Sequence, residues 1–105
     1  MYQLDFLPIA MQDMVEIATY ISHELCNPEA AEKLANDMVM AAENLTDFPY
    51  VGSVYYPPKP MKKEYRKLIV KNYIMFYHVD ENAKKVLIAR VVYARRDYAK
   101  LLEEK

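Results

Sequence analysis

Hydrophobic and polar positions change their spacing twice along this chain, and the two changes divide it into three blocks. Tyr2, Leu4 and Phe6 alternate with Gln3 and Asp5, the period of a half-buried strand. From Pro8 the spacing lengthens. Ala10, Met14, Ile17, Ala18, Ile21 and Leu25 lay an apolar stripe along a helix, and Pro8 suits its first turn, where a missing N–H has no partner to lose. Asn27 and Pro28 then end this helix and begin another, with Asn27 as N-cap and Pro28 as first helical residue. The second stripe runs through Ala31, Leu34, Ala35, Met38, Ala42 and Leu45. So short a connection between two amphipathic helices predicts an antiparallel hairpin, and the alanines of both stripes let its arms approach closely.

Between Phe48 and Pro60 stand Pro49, Gly52, Pro57, Pro58 and Pro60, which neither a helix nor a central strand accepts, so this segment reads as a loop. Beyond it, residues 65–70, 73–80 and 85–93 are rich in β-branched and aromatic side chains, and Lys71-Asn72 and Glu81-Asn82 separate them as turns. Arg95 to Glu104 reads as a short terminal helix or tail with Tyr98, Leu101 and Leu102 on its apolar side. The predicted order is β-α-α-β-β-β-α. It describes a single α+β domain over residues 1–105, with the helical hairpin packed on a largely antiparallel four-stranded sheet.

A sheet covered on one face ordinarily shows water a polar second face, but here both faces are apolar. In the middle strand Tyr73, Met75, Tyr77 and Val79 share one face and Ile74, Phe76 and His78 the other. Strict alternation in the last strand sets Val86, Ile88, Arg90 and Val92 against Leu87, Ala89, Val91 and Tyr93. One apolar face therefore calls for a cover, supplied either by a bound partner segment or by the C-terminal helix.

The formal net charge of -1 conceals a division. Residues 1–54 hold one base against nine acids, a net of -8, and residues 55–105 hold thirteen bases against six acids, a net of +7. The second half is thus suited to an anionic partner, nucleic acid or acidic protein, unless the two halves attract each other. Other chemistry is sparse. His23 and His78 are distant in sequence, no Cys/His spacing fits a metal, and one glycine excludes a glycine-rich phosphate loop, so no metal and no cofactor are expected. His23 is expected to face solvent and the single Cys26 to be a small packing residue. The first residues lack a basic segment followed by a long apolar run, and no stretch reaches the roughly 18 apolar residues of a membrane helix, so the expectation is a cytoplasmic chain with no membrane partner.

Four stretches carry a resemblance that spans nearly the whole chain: Asn27-Pro28-Glu29-Ala30-Ala31, Leu45-Thr46-Asp47-Phe48-Pro49, residues 65–77, and Arg90-Val91-Val92-Tyr93-Ala94-Arg95-Arg96-Asp97-Tyr98. In this order they resemble the RelE/ParE superfamily of toxins from type II toxin-antitoxin modules. The resemblance implies a growth-arresting toxin wrapped by a cognate antitoxin. One branch of the superfamily cleaves messenger RNA in the ribosome and the other poisons DNA gyrase.

Metal-free RNA cleavage needs a base for the 2′-hydroxyl, cations for the phosphorane and an acid for the leaving oxygen. The residue types that serve this in the RNA-cleaving branch single out Arg66, Tyr77, Arg90, Tyr93 and Arg95 as catalytic candidates, and Lys62, Lys63, Arg66, Arg90, Arg95 and Arg96 as target or nucleic-acid contacts. Where that branch carries arginines in its second and third strands, this chain has Ile69 and Ile74. The long hairpin and Asn72-Tyr73-Ile74-Met75-Phe76-Tyr77 resemble the ParE side, which favours gyrase over the ribosome. Two placements need no family. A two-residue turn at Lys71-Asn72 sets Arg66 opposite Tyr77, as a cation-π pair or a functional one. Arg90 shares a face with Val86, Ile88 and Val92, an awkward place for a charge unless something anionic meets it, and is the stronger functional candidate. Arg95 and Arg96 either bind the target or start a solvated helix near Asp97.

Overall fold

The structure, a computed structural model, describes residues 1–96 and 98–102. Strand β1 (Gln3–Phe6) leads into helix α1 (Pro8–Thr19), which widens into a π turn over Tyr20–Glu24. Helix α2 (Pro28–Asn44) returns, followed by β2 (Ser53–Val54), β3 (Arg66–Val70), β4 (Tyr73–Asp80), β5 (Lys85–Tyr93) and a 3-10 turn at Lys100–Leu102. The sheet has five strands in the order β1-β5-β4-β3-β2. It is mixed, because β1 runs parallel to β5 while the other neighbours are antiparallel. The fifth strand is the short β2, inside the proline-rich stretch read as loop. Its residues lie between Pro49 and Pro57, and two rungs against Arg66 and Lys67 fit there without asking a proline for a ladder donor.

The helices form where the stripes place them. Pro8 stands at the start of α1, and Leu7 O accepts from Ala10 N and Met11 N. Asn27 caps α2 by accepting from Ala30 N at 3.2 Å, worth about 1 kcal/mol. Ala10, Ala31 and Ala42 are all buried, which is what brings the two arms together. The first helix ends earlier than its stripe, since Leu25 lies beyond the π turn and is exposed. Cys26 adopts φ 50° and is exposed. It is a turn residue, and the expectation of a packed cysteine does not hold.

Two apolar clusters lie on opposite sides of the sheet. Met75, Tyr77, Val86, Ile88 and Val91 pack with Ala10, Met38, Ala42, Leu45 and Val70 beneath the hairpin. On the other side Ile74, Phe76, Val92 and Leu102 are buried, flanked by Tyr55, Met61, Tyr98 and Leu101. Tyr55, Phe76 and Tyr98 form a ring triangle with centroids 5.1–5.9 Å apart. This second face is therefore covered from within the chain, and no partner segment is needed there. The cover is irregular where a terminal helix was expected. It combines the loop ahead of β3 with Tyr98 and the 3-10 turn, while Asp97, Glu103 and Glu104 lie outside the described residues.

The bend after α2 is fastened from two directions. Tyr77, fully buried, donates its hydroxyl to Pro49 O at 2.8 Å and accepts from Gly52 N at 2.9 Å. A Cβ on Gly52 would stand 2.6 Å from the Tyr77 hydroxyl and 2.8 Å from Lys67 O. Near the sheet's far end, Glu81 accepts hydrogen bonds from Tyr2 and Tyr50 and pairs with Lys84 at 2.9 Å. These bonds, the Tyr2 one foremost, lower the Glu81 carboxyl to about 2.

Gly52→Ala is expected to destabilise the fold by about 1–3 kcal/mol, read as a fall in Tm. Adding Tyr77→Phe should not restore it, because the clash with Lys67 O is with backbone. Glu81 titrates lower in the folded chain than in the unfolded one, so its contribution is complete above the ordinary carboxyl range and disappears as pH falls towards about 2. Acid unfolding of Glu81→Gln, followed by circular dichroism, should accordingly show a shallower pH dependence between about 4.5 and 2 than the parent chain.

Candidate functional site

The residues singled out by sequence separate into three places. Arg66 and Tyr77 are cross-strand partners, as the two-residue turn requires. Arg66 Nη1 donates to Gly52 O at 2.8 Å and Tyr50 O at 3.3 Å. Its cation-π contact is with the Tyr50 ring, 4.9 Å from the centroid, and not with Tyr77. Burial pushes the Tyr77 phenol up, which keeps the hydroxyl protonated for its bond to Pro49. Both side chains hold the loop before β2; Arg66 also pairs with Glu64 at 3.6 Å, and its Nε is buried without a hydrogen-bond partner.

Arg90 lies where β5 is irregular. The register passes from Tyr77↔Ile88 to Phe76↔Arg90, so one extra residue of β5 forms a bulge. Strict alternation is lost there. Val91 faces the hairpin with Met75, and Val92 joins Ile74 on the opposite side, which corrects the face assigned to Val92 from the sequence. The anion that Arg90 needed is Asp13, on α1. Arg90 Nε and Nη2 donate to the two Asp13 carboxylate oxygens at 2.8 and 2.9 Å, and Val91 N donates to the same carboxylate at 3.0 Å. Asp13 is 8% exposed, the one buried charged residue among those described. A buried carboxylate is tolerated only when paired and hydrogen-bonded, and this bidentate pair supplies both conditions. The guanidinium is thereby fixed as a tie between α1 and β5.

The third place is open. Tyr93, Arg95 and Arg96 are exposed at the end of β5, and Lys62 and Lys63 are exposed in the loop ahead of β3. Tyr93 and Arg96 line a groove of about 890 Å³ between the hairpin tip and the β3–β4 turn. Its helical wall is Ile17, Tyr20, Ile21 and Leu34, and its sheet wall includes Lys71, Tyr73 and Val91. Tyr73 and Tyr93 meet edge to face at 5.7 Å. Partial burial, then the nearby phenols of Tyr93 and Tyr20, push the Tyr73 phenol up. The groove joins apolar walls to a few charged side chains, the general character of a binding site. Tyr20, Lys71 and Tyr73 were not among the residues chosen from sequence, because the pairing of Tyr73 with Tyr93 depends on the bulge. Among the described residues no three His, Cys, Asp or Glu side chains gather to hold a metal ion, and no helix is long and apolar enough to cross a membrane.

This architecture of two helices on a twisted sheet is shared with known toxins. The structure of a chromosomal ParDE toxin-antitoxin system from P. aeruginosa superposes with a TM-score of 0.71 at 22% identity, covering 90% of this chain and 98% of that one. A chain of the RelBE2 toxin-antitoxin complex from Mycobacterium tuberculosis gives 0.59 at 19%, over 88% and 96%. Isolated E. coli RelE toxin gives 0.57 at 18%, over 97% and 96%. The fold is that of the RelE/ParE superfamily. No curated protein sequence matches the chain. The family model for the ParE toxin of the type II toxin-antitoxin system parDE matches residues 4–98, and the chain belongs to that family.

Asp13→Ala and Arg90→Ala are each expected to cost about 3–5 kcal/mol, because each leaves a largely buried charge unpaired. Asp13→Ala also frees a buried N–H at Val91. Chemical denaturation of the single variants and of the double variant gives the coupling. The double variant should be less destabilised than the sum of the singles, and additive losses would show that the two side chains act separately.

Proposed function

We propose that this type II toxin arrests growth by binding DNA gyrase, and that a cognate antitoxin neutralises it by occupying its surface. The observation that carries the gyrase reading is the ParE family match over residues 4–98. The fate of the candidate catalytic groups supports it. Tyr77 has its hydroxyl bound on both sides by backbone, Arg90 is neutralised by Asp13, and Arg66 is held on loop carbonyls. Cleavage would need these groups facing a phosphate. A protein target needs only a shaped surface with anchors and complementary charge. The open side chains Tyr93, Arg95 and Arg96 supply such anchors, and arginine and tyrosine are the residue types that most often dominate binding energy.

The second reading is ribosome-dependent cleavage of messenger RNA. The observation in its favour is that Tyr93, Arg95, Arg96, Lys62 and Lys63 all remain exposed, so an aromatic ring and several cations are present without the buried groups.

Expression of the chain alone is expected to stop bacterial growth, and co-expression of the product of an adjacent reading frame to restore it. In purified reactions the toxin should inhibit gyrase supercoiling and leave messenger intact on translating ribosomes. Arg96→Ala should weaken gyrase inhibition by about ten-fold, the loss of a hot-spot arginine, with Tm unchanged. Messenger cut within the ribosome, with supercoiling unaffected, selects the second reading.

A further inference from the structure

The apolar arcs of the two helices continue past the line where the helices meet. The buried side of α1 is marked by Ala10 and Asp13, and that of α2 by Ala31, Met38 and Ala42. On α1, Met11 follows Ala10 and Val15 lies one turn further on. On α2, Val39 lies one turn beyond Ala35 and just short of one turn before Ala42. These three side chains are 50%, 62% and 39% exposed. Because α1 and α2 pack side by side and antiparallel, helical spacing carries both sets from the helix contact outwards. They form the two lips of a seam on the outer face of the hairpin, away from the sheet and from the groove. A row of carboxylates accompanies the seam. Glu29, Glu32 and Glu43 recur at helical spacing on the outer side of α2, all exposed, and they enter no ion pair among the described residues. Lys33, the one lysine or arginine of residues 1–54, lines the groove instead.

We infer that this seam docks a basic, amphipathic α-helix of a partner protein, laid on the hairpin as a third helix. The inference goes beyond the toxin reading and uses none of the groove residues. The backbone groups along the seam are used within the two helices, so it offers side chains alone and no strand edge to extend. A helix suits such a surface. Its apolar residues at i, i+4 and i+7 enter between Met11 and Val15 on one lip and Val39 on the other, with axes about 8–10 Å apart. Ala18 and Ala35, half-buried between the lips, leave room for that approach. Charge selects the partner's sign. Lysines or arginines on the flank towards α2 meet Glu29, Glu32 and Glu43, which no lysine or arginine of the hairpin's outer face balances. The same row argues against a second copy of this chain, because a two-fold contact sets like charges together.

The test uses the full chain and a synthetic helix of about 15 residues, acetylated and amidated, built from leucine, alanine and lysine. Its leucines stand at i, i+4 and i+7 spacing and its lysines along one flank. A control peptide has the same composition in an order that breaks the spacing, so its charge is equal and its apolar stripe is lost. The striped peptide is expected to bind and to shift the methyl NMR signals of Met11, Val15 and Val39. The control should bind at least ~10-fold more weakly. Val15→Lys, at an exposed helical position, should weaken binding of the striped peptide about ten-fold with Tm unchanged. Val39→Gln on the opposite lip should act alike, so the result does not depend on one variant keeping its stability. Replacing Glu32→Gln and Glu43→Gln together should remove most of the salt dependence. Equal binding of the control, shifts confined to Ile21 and Leu34 of the groove, full binding by both lip variants, or no binding at millimolar peptide overturns the inference. A dimer of the chain that Val15→Lys disperses puts a second copy on the seam and overturns it as well.

Discussion

Most of what is distinctive in this molecule depends on one carboxylate. Asp13 lies one turn into α1 and reaches β5 with both oxygens, holding Arg90 through two hydrogen bonds and the Val91 N–H through a third. The Val91 N–H points away from β4 on the side where β1 has already ended at Phe6↔Ile88, and a buried unpaired N–H costs about 1–3 kcal/mol. Here the helix supplies the missing acceptor. The same contact ties α1 to β5, next to the bulge whose register shift decides which residues of β5 enter the core beyond it. Val91 is turned under the hairpin and Val92 towards the C-terminal cover.

The opposite end of the sheet is held by a different device with the same logic. Tyr77 and Arg66 deliver a hydroxyl and a guanidinium to the backbone of Pro49, Tyr50 and Gly52, where prolines leave few N–H groups for regular pairing. Gly52 is required at that point by close approach and not by backbone conformation, since its missing side chain is the space that the Tyr77 hydroxyl occupies. Polar groups of the kinds that serve chemistry are in this way used to close loops. Of the exposed candidates, Tyr93, Arg95 and Arg96 lie at the end of β5, and Lys62 and Lys63 in the loop ahead of β3.

The charge division between the two halves has a mixed outcome. Part of it is internal, as in Asp13 with Arg90 and Asp5 with Lys85 at 3.8 Å. The latter pair is exposed and of little energetic weight. Lys71, Arg95 and Arg96 stay at the surface, so a positive edge remains beside the groove. That residue of charge is what an acidic partner can use, and its position next to apolar walls gives recognition both direction and anchorage.

The sequence by itself determined the helical hairpin and four of the five strands in their order, but not β2 or the irregular C-terminal cover. Period and punctuation are local properties: Pro8, Asn27-Pro28 and Lys71-Asn72 mark boundaries wherever they occur, and the apolar stripes state which side of each element must leave water. The cross-strand pairing of Arg66 with Tyr77 was legible for the same reason, because a two-residue turn fixes register by counting. The tertiary structure alone decided the bulge, and with it the partner of Arg90, the faces of Val91 and Val92, and the meeting of Tyr73 with Tyr93. It also decided that the second sheet face is closed by Tyr55, Tyr98 and Leu102 from two distant segments. One inserted residue leaves no mark on composition and reverses every alternation after it. Beside it the strand meets a carboxylate 77 residues away in sequence, a contact that no local pattern encodes.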